Sequence, residues 1–146
     1  MILPTMDRKL KNIILVDDDE IIGMVTKRLL EQMLVTVEVM VFSDSLKGLK
    51  FLKEKYGSSQ ENQQHAATDL VLLDIDMPGF GGFEILTILK DLKKTGLVYL
   101  DNTHFAIITS HKTEKEEQLA SRYDVLAVLE KPLRLEEIRN LISKVA

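Results

Sequence analysis

Polar side chains that could act together in one reaction follow four apolar runs of the sequence, each at the point where its run ends. In chain order they are Asp17 with Asp18, Asp74, Thr109 with Ser110, and Lys131. Carboxylates, a hydroxyl and an ammonium could together accept a phosphoryl group beside a divalent cation, because the cationic groups offset the charge of the transferred group. The residue types indicate this chemistry if the fold brings the four positions together.

The runs before these residues are short and rich in Ile, Val and Leu, which is typical of strands buried on both faces of a parallel sheet. They are Ile13–Val16, Leu70–Leu73, His104–Ile108 and Val125–Glu130. Parallel strands have their carboxyl ends at one edge, where open α/β sheets bind ligands. We therefore expect the polar residues to converge there.

Segments with apolar residues at helical spacing separate the strands. The predicted strands are Asn12–Asp17, Val35–Phe42, one ending at Asp74, His104–Ile108, and Val125–Glu130. The predicted helices are Glu20–Met33, Ser43–Tyr56, Phe83 to about Lys94, one from the Thr113–Glu116 capping box to about Arg122, and a last one reaching the C-terminus. Asp19 is expected to cap the first helix. Gly57–Ala67 is predicted to be a mobile surface loop and Gly96–Asn102 a packed excursion.

Strict alternation of strands and helices favours a parallel sheet with helices on both faces. Val35–Phe42 alternates apolar and more polar residues, which suits an edge strand. Right-handed crossovers then favour a five-stranded, doubly wound sheet of order 2-1-3-4-5 with five helices, a flavodoxin-like α/β fold. We expect one domain over residues 1–146, in which residues 1–10 are a short lead-in.

Composition excludes several classes of function. The 146 residues are 45% hydrophobic and 29% charged, an ordinary globular balance for one domain. A net charge of -4 without a basic run predicts no direct nucleic-acid binding, and the absence of cysteine excludes thiol chemistry and disulfides. With neither a secretion signal nor an apolar run of membrane-spanning length, we expect a cytoplasmic protein without membrane contact.

At the strand ends, the sequence resembles a receiver domain of two-component response regulators. The matching motifs, in family order, are Ile14–Asp19, Leu72–Gly79 with Gly82–Glu84, Ile107–Ser110 and Glu130–Leu133. The resemblance covers nearly the whole chain. It implies a CheY-like signalling domain that binds Mg2+ and receives a phosphoryl group from a sensor histidine kinase or a histidine phosphotransfer protein. Such a domain is not a turnover enzyme.

The resemblance implies a role for each site residue. Asp74 corresponds to the phosphoacceptor and also to a metal ligand. Asp17 and Asp18 correspond to the acidic pair that holds magnesium, with Asp18 the direct ligand and Asp17 acting mainly through water; the backbone carbonyl of Asp76 corresponds to a further ligand. Thr109 corresponds to the hydroxyl residue that bonds the phosphoryl group, and Lys131 to its ion-pair partner. The Lys131–Pro132 peptide bond is commonly cis in the family.

Three positions depart from the family pattern or vary within it. Many receivers have an aromatic residue where this sequence has Val128, whose branched side chain is stiff. We therefore expect activation to be transmitted by displacement of the loop and helix after Thr109, or to be weak. Asp76 and His111 correspond to positions that flank the phosphoryl group. The extra carboxylate of Asp76 is predicted to repel phosphodonors and to strengthen metal attraction, and His111 to steer or shield water.

Two other interpretations stay open. Asp74-Ile75-Asp76 resembles the Asp-x-Asp motif of haloacid-dehalogenase-type phosphatases, but that family has its motif on the first strand and Thr or Val where Pro78 stands here. A receiver-like interaction module that is not phosphorylated would have a broken acidic pocket, whereas this one is intact in sequence. In the receiver interpretation, output is expected through contact with a downstream protein, on the face formed by the fourth and fifth helices and the fifth strand.

Overall fold

The computed structural model describes residues 9–34, 36–57 and 67–145, and within these ranges strands and helices alternate strictly. The strands are β1 (Lys9–Val16), β2 (Glu38–Phe42), β3 (Ala67–Asp74), β4 (Thr103–Thr109) and β5 (Val128–Glu130). The helices are α1 (Glu20–Met33), α2 (Ser45–Gly57), α3 (Gly82–Lys94), α4 (Glu114–Ala120) and α5 (Leu135–Val145). The predicted series of five strand–helix units is confirmed.

The strands form one parallel sheet of order β2-β1-β3-β4-β5, which confirms the predicted flavodoxin-like topology. β1 and β3 are central because they are apolar on both faces: Ile13–Val16 and Leu70–Leu73 are at most 1% exposed. β2 lies at an edge, as its mixed sequence predicted, and Val39 is its buried residue.

Alternate residues of the central strands enter two apolar layers, because successive side chains of a strand point to opposite faces. Ile14 and Val16 lie in the layer covered by α2 and α3, whereas Ile13 and Leu15 lie in the layer covered by α1 and α5. The helical residues of these layers include Leu52, Ile85, Leu89, Leu30, Ile138 and Leu141. Burial on both faces fixes the register of the central strands.

The last strand and the fourth helix are shorter than predicted. β5 covers only the second half of Val125–Glu130. The Leu126 N–H donates to the Phe105 carbonyl at 2.8 Å, and the Ile107 N–H donates to the Ala127 carbonyl at 3.0 Å, so this segment follows β4 without a regular ladder. α4 ends at Ala120 rather than near Arg122, and a tight turn follows in which the Tyr123 N–H donates to the Ala120 carbonyl.

Other boundaries differ where the sequence is polar. β1 begins at Lys9, within the predicted lead-in, and residues 1–8 lie outside the described residues. Of the predicted loop Gly57–Ala67, residues 58–66 also lie outside them. The Gly96–Asn102 excursion is packed as predicted: Val98 is 3% exposed, and the Tyr99 N–H donates to the Tyr56 carbonyl. No helix within the described ranges is long and apolar enough to cross a membrane.

The register of the sheet brings the carboxyl ends of β1, β3, β4 and β5 to one edge. The Cα partners nearest this edge are Val16 with Leu73, Asp74 with Ile108, and Thr109 with Glu130. Asp17 and Lys131 directly follow two of these paired strands. The topology alone therefore places the predicted site residues on adjacent chain segments.

Gly81 keeps the loop after β3 close to the start of α3. A Cβ atom there would overlap the carbonyl oxygen of Ile75 and lie 2.9 Å from Glu84 Oε1, the acceptor of the Gly81 N–H. We predict that Gly81→Ala lowers the free energy of unfolding by about 3 kcal/mol, because only a backbone shift relieves such overpacking. Denaturant titration measures this loss.

Gly96→Ala is the matched control for Gly81→Ala. Gly96 has φ of +77°, but an added Cβ would meet no heavy atom within 4 Å. Its expected loss is about 1 kcal/mol, from the left-handed backbone alone. Equal losses in the two variants would show that close approach at Gly81 is not the constraint.

Candidate functional site

Three carboxylates lie together at the carboxyl edge of the sheet: Asp17 and Asp18 directly after β1, and Asp74 at the end of β3. One oxygen from each lies within 4.8 Å of the others. Asp17 and Asp74 are 0% and 1% exposed, whereas Asp18 faces solvent. The sheet thus holds two carboxylates away from water and presents a third at the surface.

Lys131 is the ammonium that pairs with the two buried carboxylates. Its Nζ lies 3.0 Å from Asp74 Oδ2 and 3.2 Å from both carboxylate oxygens of Asp17. Its side chain is only 6% exposed, so solvent screens these ion pairs weakly. The Lys131 N–H donates to the Thr109 carbonyl at 2.8 Å, and the bond to Pro132 is cis, as the resemblance implies.

Backbone N–H groups also orient the buried carboxylates. The Asp19 N–H donates to Asp17 Oδ1 at 3.0 Å, and the Asp76 N–H donates to Asp74 Oδ1 at 3.0 Å. The carboxylate of Asp19 accepts from the Ile22 N–H at 3.0 Å, which confirms it as the predicted cap of α1. Both buried carboxylates are therefore fixed by the loops that follow their strands.

Thr109 ends β4 and is fully buried. Its hydroxyl donates to Asp76 Oδ2 and to the His111 carbonyl, both at 3.2 Å, and accepts from the His111 N–H at 3.1 Å. Asp76, Ser110 and His111 are exposed. The structure thus joins Thr109 to both positions predicted to flank the transferred group.

Burial and like charge shift the pKa values of the cluster. Burial raises the pKa of Asp17 to about 6, and Asp74 adds to this effect while the Asp19 N–H and Lys131 oppose it. Desolvation, and then Asp74, raise the pKa of Asp18. Burial alone would lower the pKa of Lys131, but hydrogen bonds and charge attraction from Asp74 and Asp17 outweigh it, so this pKa is raised. The crowded carboxylates therefore attract cations.

The donor set fits a hard divalent cation. Carboxylate oxygens are ligands that Mg2+ prefers, and it usually keeps several waters as well. The one ammonium pairs with two of the three carboxylates, which leaves excess negative charge at this edge. Asp18 has no ion-pair partner within residues 9–34, 36–57 and 67–145. Its exposed carboxylate is therefore the most accessible oxygen donor of the three.

An aromatic pair between α3 and the turn after α4 escaped the sequence analysis. Val128, at the position that is aromatic in many receivers, is 8% exposed and belongs to an apolar layer. Instead, the rings of Phe83 and Tyr123 stack with centroids 5.1 Å apart, and the Tyr123 hydroxyl lies 3.0 Å from Thr87 Oγ1. This contact joins α3 to the turn after α4. No periodic signal indicates it, because Tyr123 lies beyond the end of the helix.

A doubly wound parallel sheet with acidic loops and a lysine at its carboxyl edge defines the receiver class of signalling domains. A family model for the response regulator receiver domain matches residues 13–143, and the chain belongs to this family. Receiver domains are signalling modules of two-component systems, not turnover enzymes. No curated protein sequence matches the chain.

Solved structures of receivers share this fold. The receiver domain of the histidine kinase CKI1 from Arabidopsis thaliana, complexed with Mg2+, is 22% identical with a TM-score of 0.75, over 96% of both chains. A two-component response regulator from Cytophaga hutchinsonii is 22% identical with a TM-score of 0.74, over 94% of this chain and 98% of that one. A response regulator receiver domain protein from Clostridium thermocellum is 25% identical with a TM-score of 0.69, over 93% and 94%.

We predict that the metal-free protein loses stability relative to an Asp17→Asn variant as the pH rises from about 4 to about 7. The native pKa of Asp17 is about 6, above the ordinary 3.8, so the native state holds a proton that the unfolded chain has released in this window. This stabilising contribution is complete below about pH 4 and is lost as the pH rises through about 6.

Denaturant titrations with a chelator, at several pH values, measure this effect. The free energy of unfolding of the wild type, minus that of Asp17→Asn, should fall by on the order of 2 kcal/mol as the pH rises across the window. A difference that does not depend on pH would contradict the raised pKa of Asp17.

Proposed function

We propose that this receiver domain accepts a phosphoryl group on Asp74. The observation that carries the proposal is the convergence of the site on this one side chain. Asp17 and Asp18 place oxygens within 4.8 Å of it, and Lys131 lies 3.0 Å from its Oδ2. Its Oδ1 accepts from the Asp76 N–H, and the Asp76 side chain bonds Thr109. Asp74 is therefore the side chain that the other groups of the site surround.

The proposed reaction is nucleophilic displacement at phosphorus. An oxygen of Asp74 bonds to the phosphorus of a phosphohistidine while the phosphorus–nitrogen bond breaks, and the imidazole nitrogen keeps the electron pair. The product is an aspartyl phosphate. Water later attacks phosphorus, which releases inorganic phosphate and restores the carboxylate. The modification is therefore temporary.

Lys131 has two successive partners in this proposal. In the resting site it covers Asp74 Oδ2, and Asp74 is only 1% exposed. As the donor arrives, the ammonium turns from this carboxylate toward the phosphoryl oxygens, where its charge offsets that of the transferred group. Asp17, 3.2 Å from Nζ, keeps the ammonium at the edge during the exchange.

The proposed Mg2+ site consists of three carboxylates and one backbone carbonyl. They are the carboxylates of Asp17, Asp18 and Asp74 and the carbonyl of Asp76. The exposed Asp18 is the proposed direct ligand, and Asp17, paired with Lys131, acts mainly through water. When bound, Mg2+ offsets charge on the phosphoryl oxygens. The Mg2+-complexed CKI1 receiver domain has the same fold, but the support for a metal here comes from this chain's own carboxylates.

The proposed partners are proteins on both sides of the transfer. A sensor histidine kinase or a histidine phosphotransfer protein supplies the phosphohistidine. An open cleft of about 360 Å³ beside Asp18 leaves room for side chains of that partner protein. The Thr109 hydroxyl then donates a hydrogen bond to a phosphoryl oxygen. A downstream protein reads the change on the face of α4, β5 and α5. We propose that residues 1–146 act as a single receiver domain.

Acetyl phosphate with Mg2+ is expected to add one phosphoryl group to the wild-type chain and none to Asp74→Asn, because an amide oxygen is a poor nucleophile. Intact-mass spectrometry measures the addition. Asp91→Asn removes an exposed carboxylate of α3 and is the matched control, expected to be labelled like the wild type. Labelling of Asp74→Asn to the wild-type extent would refute Asp74 as the acceptor.

Mg2+ is expected to raise the thermal midpoint strongly at about pH 7.5 and weakly at about pH 5. At the lower pH Asp17, with a pKa of about 6, holds a proton that competes with the metal.

Asp18→Asn should weaken Mg2+ binding about tenfold or more. Asp19→Asn makes the same charge change at the neighbouring helix cap and should leave binding nearly unchanged. Thermal-shift titrations in which both variants respond alike would place the metal elsewhere.

A further inference from the structure

The hydroxyl of Thr109 is already engaged in the resting site. Its oxygen lies 3.2 Å from Asp76 Oδ2 and 3.2 Å from the His111 carbonyl, and it accepts from the His111 N–H at 3.1 Å. A hydroxyl carries one proton to donate. That proton is shared between two acceptors, which lie in the loops after β3 and β4. It can bond a third oxygen only if it leaves these two.

A group attached to Asp74 must therefore compete for this proton. The Asp76 carboxylate is the stronger resting acceptor, because hydrogen bonds to ionised groups are stronger than bonds to neutral ones. The Asp76 N–H also donates to Asp74 Oδ1 at 3.0 Å, so one residue contacts both the proposed acceptor and Thr109. Through these two contacts, a modification of Asp74 is expected to affect the position of Asp76.

We propose that the side chain of Asp76 is a positioning residue that holds the Thr109 hydroxyl away from Asp74 and thereby sets how readily the site switches. This inference rests on the proposed phosphorylation of Asp74. It differs from simple charge repulsion of phosphodonors, because it depends on a hydrogen-bond acceptor at position 76 and on a hydroxyl at position 109. The two explanations make different predictions for the same set of variants.

The first experiment uses the unphosphorylated, metal-free protein, so it does not depend on the proposed function. The methyl 13C shift and side-chain couplings of Thr109 report its side-chain torsion. Asp76→Ala removes the acceptor and should change these signals. Asp76→Asn keeps an acceptor oxygen without the charge and should change these signals less than Asp76→Ala does. Unchanged Thr109 signals in Asp76→Ala would overturn the proposal.

The second experiment is a double-mutant cycle read by binding of beryllofluoride, a phosphoryl mimic, in the presence of Mg2+. Asp76→Ala should bind the mimic about two- to tenfold more tightly than Asp76→Asn, the range expected for one hydrogen bond. Both variants lack the charge, so repulsion cancels in this comparison. In a Thr109→Val background the difference should vanish, because no hydroxyl remains to be held.

The outcomes distinguish failure of the positioning role from failure of the proposed function. Equal binding by Asp76→Ala and Asp76→Asn, or a difference that persists with Thr109→Val, would assign the effect of Asp76 to direct contact or charge and overturn the positioning role. Failure of the wild-type chain to bind the mimic or to be labelled on Asp74 would overturn the proposed function. The Thr109 signals of the free protein would still test the hydrogen bond.

Discussion

The ion pairs of Lys131 with Asp17 and Asp74 are the interaction on which the rest of the site depends. Parallel strands force their carboxyl ends together, and here that edge carries three carboxylates, two of them nearly inaccessible to water. Burying a charge costs several kcal/mol unless it is paired, and Lys131 at 3.0–3.2 Å supplies that pairing. Its single charge does not neutralise the cluster. The site is therefore stable enough to fold and still attracts a further cation.

Packing of the two apolar layers brings the carboxylates together at this edge. Ile14 and Val16 on one face of β1, and Ile13 and Leu15 on the other, fix the register that places Asp17 beside the end of β3. A slip of one residue would turn every side chain of the strand to the wrong layer. Backbone N–H groups of Asp19 and Asp76 then orient the carboxylates from their loops. Core packing thus sets the positions of the charges, and the loops set their directions.

The fold order and the charged members of the site could be predicted because they depend on periodicity and on where the apolar runs end. Three features could not. β5 is short because residues from Val125 follow β4 irregularly, although their composition is that of a strand. The Thr109–Asp76 bond joins the end of β4 to the loop after β3, whose conformation no spacing rule specifies. Asp69, which accepts from Asn12 and Tyr56 at 2.9 and 2.6 Å, is a buried carboxylate within an apolar strand. The first depends on backbone pairing and the other two on side-chain geometry, neither of which sequence patterns encode.

α4 is the element best placed to transmit a change at Thr109. It has seven residues, and only Ala120 of them is buried, so core packing holds it weakly. Its start is fixed by the Thr113–Glu116 capping box, a few residues after Thr109, and the turn beyond its end by the stacking of Tyr123 on Phe83. Val128 contributes packing but no ring that could reorient. We therefore expect a shift of Thr109 to be transmitted to the start of this lightly packed helix, whose other end is joined to α3, and to change a surface that includes α4.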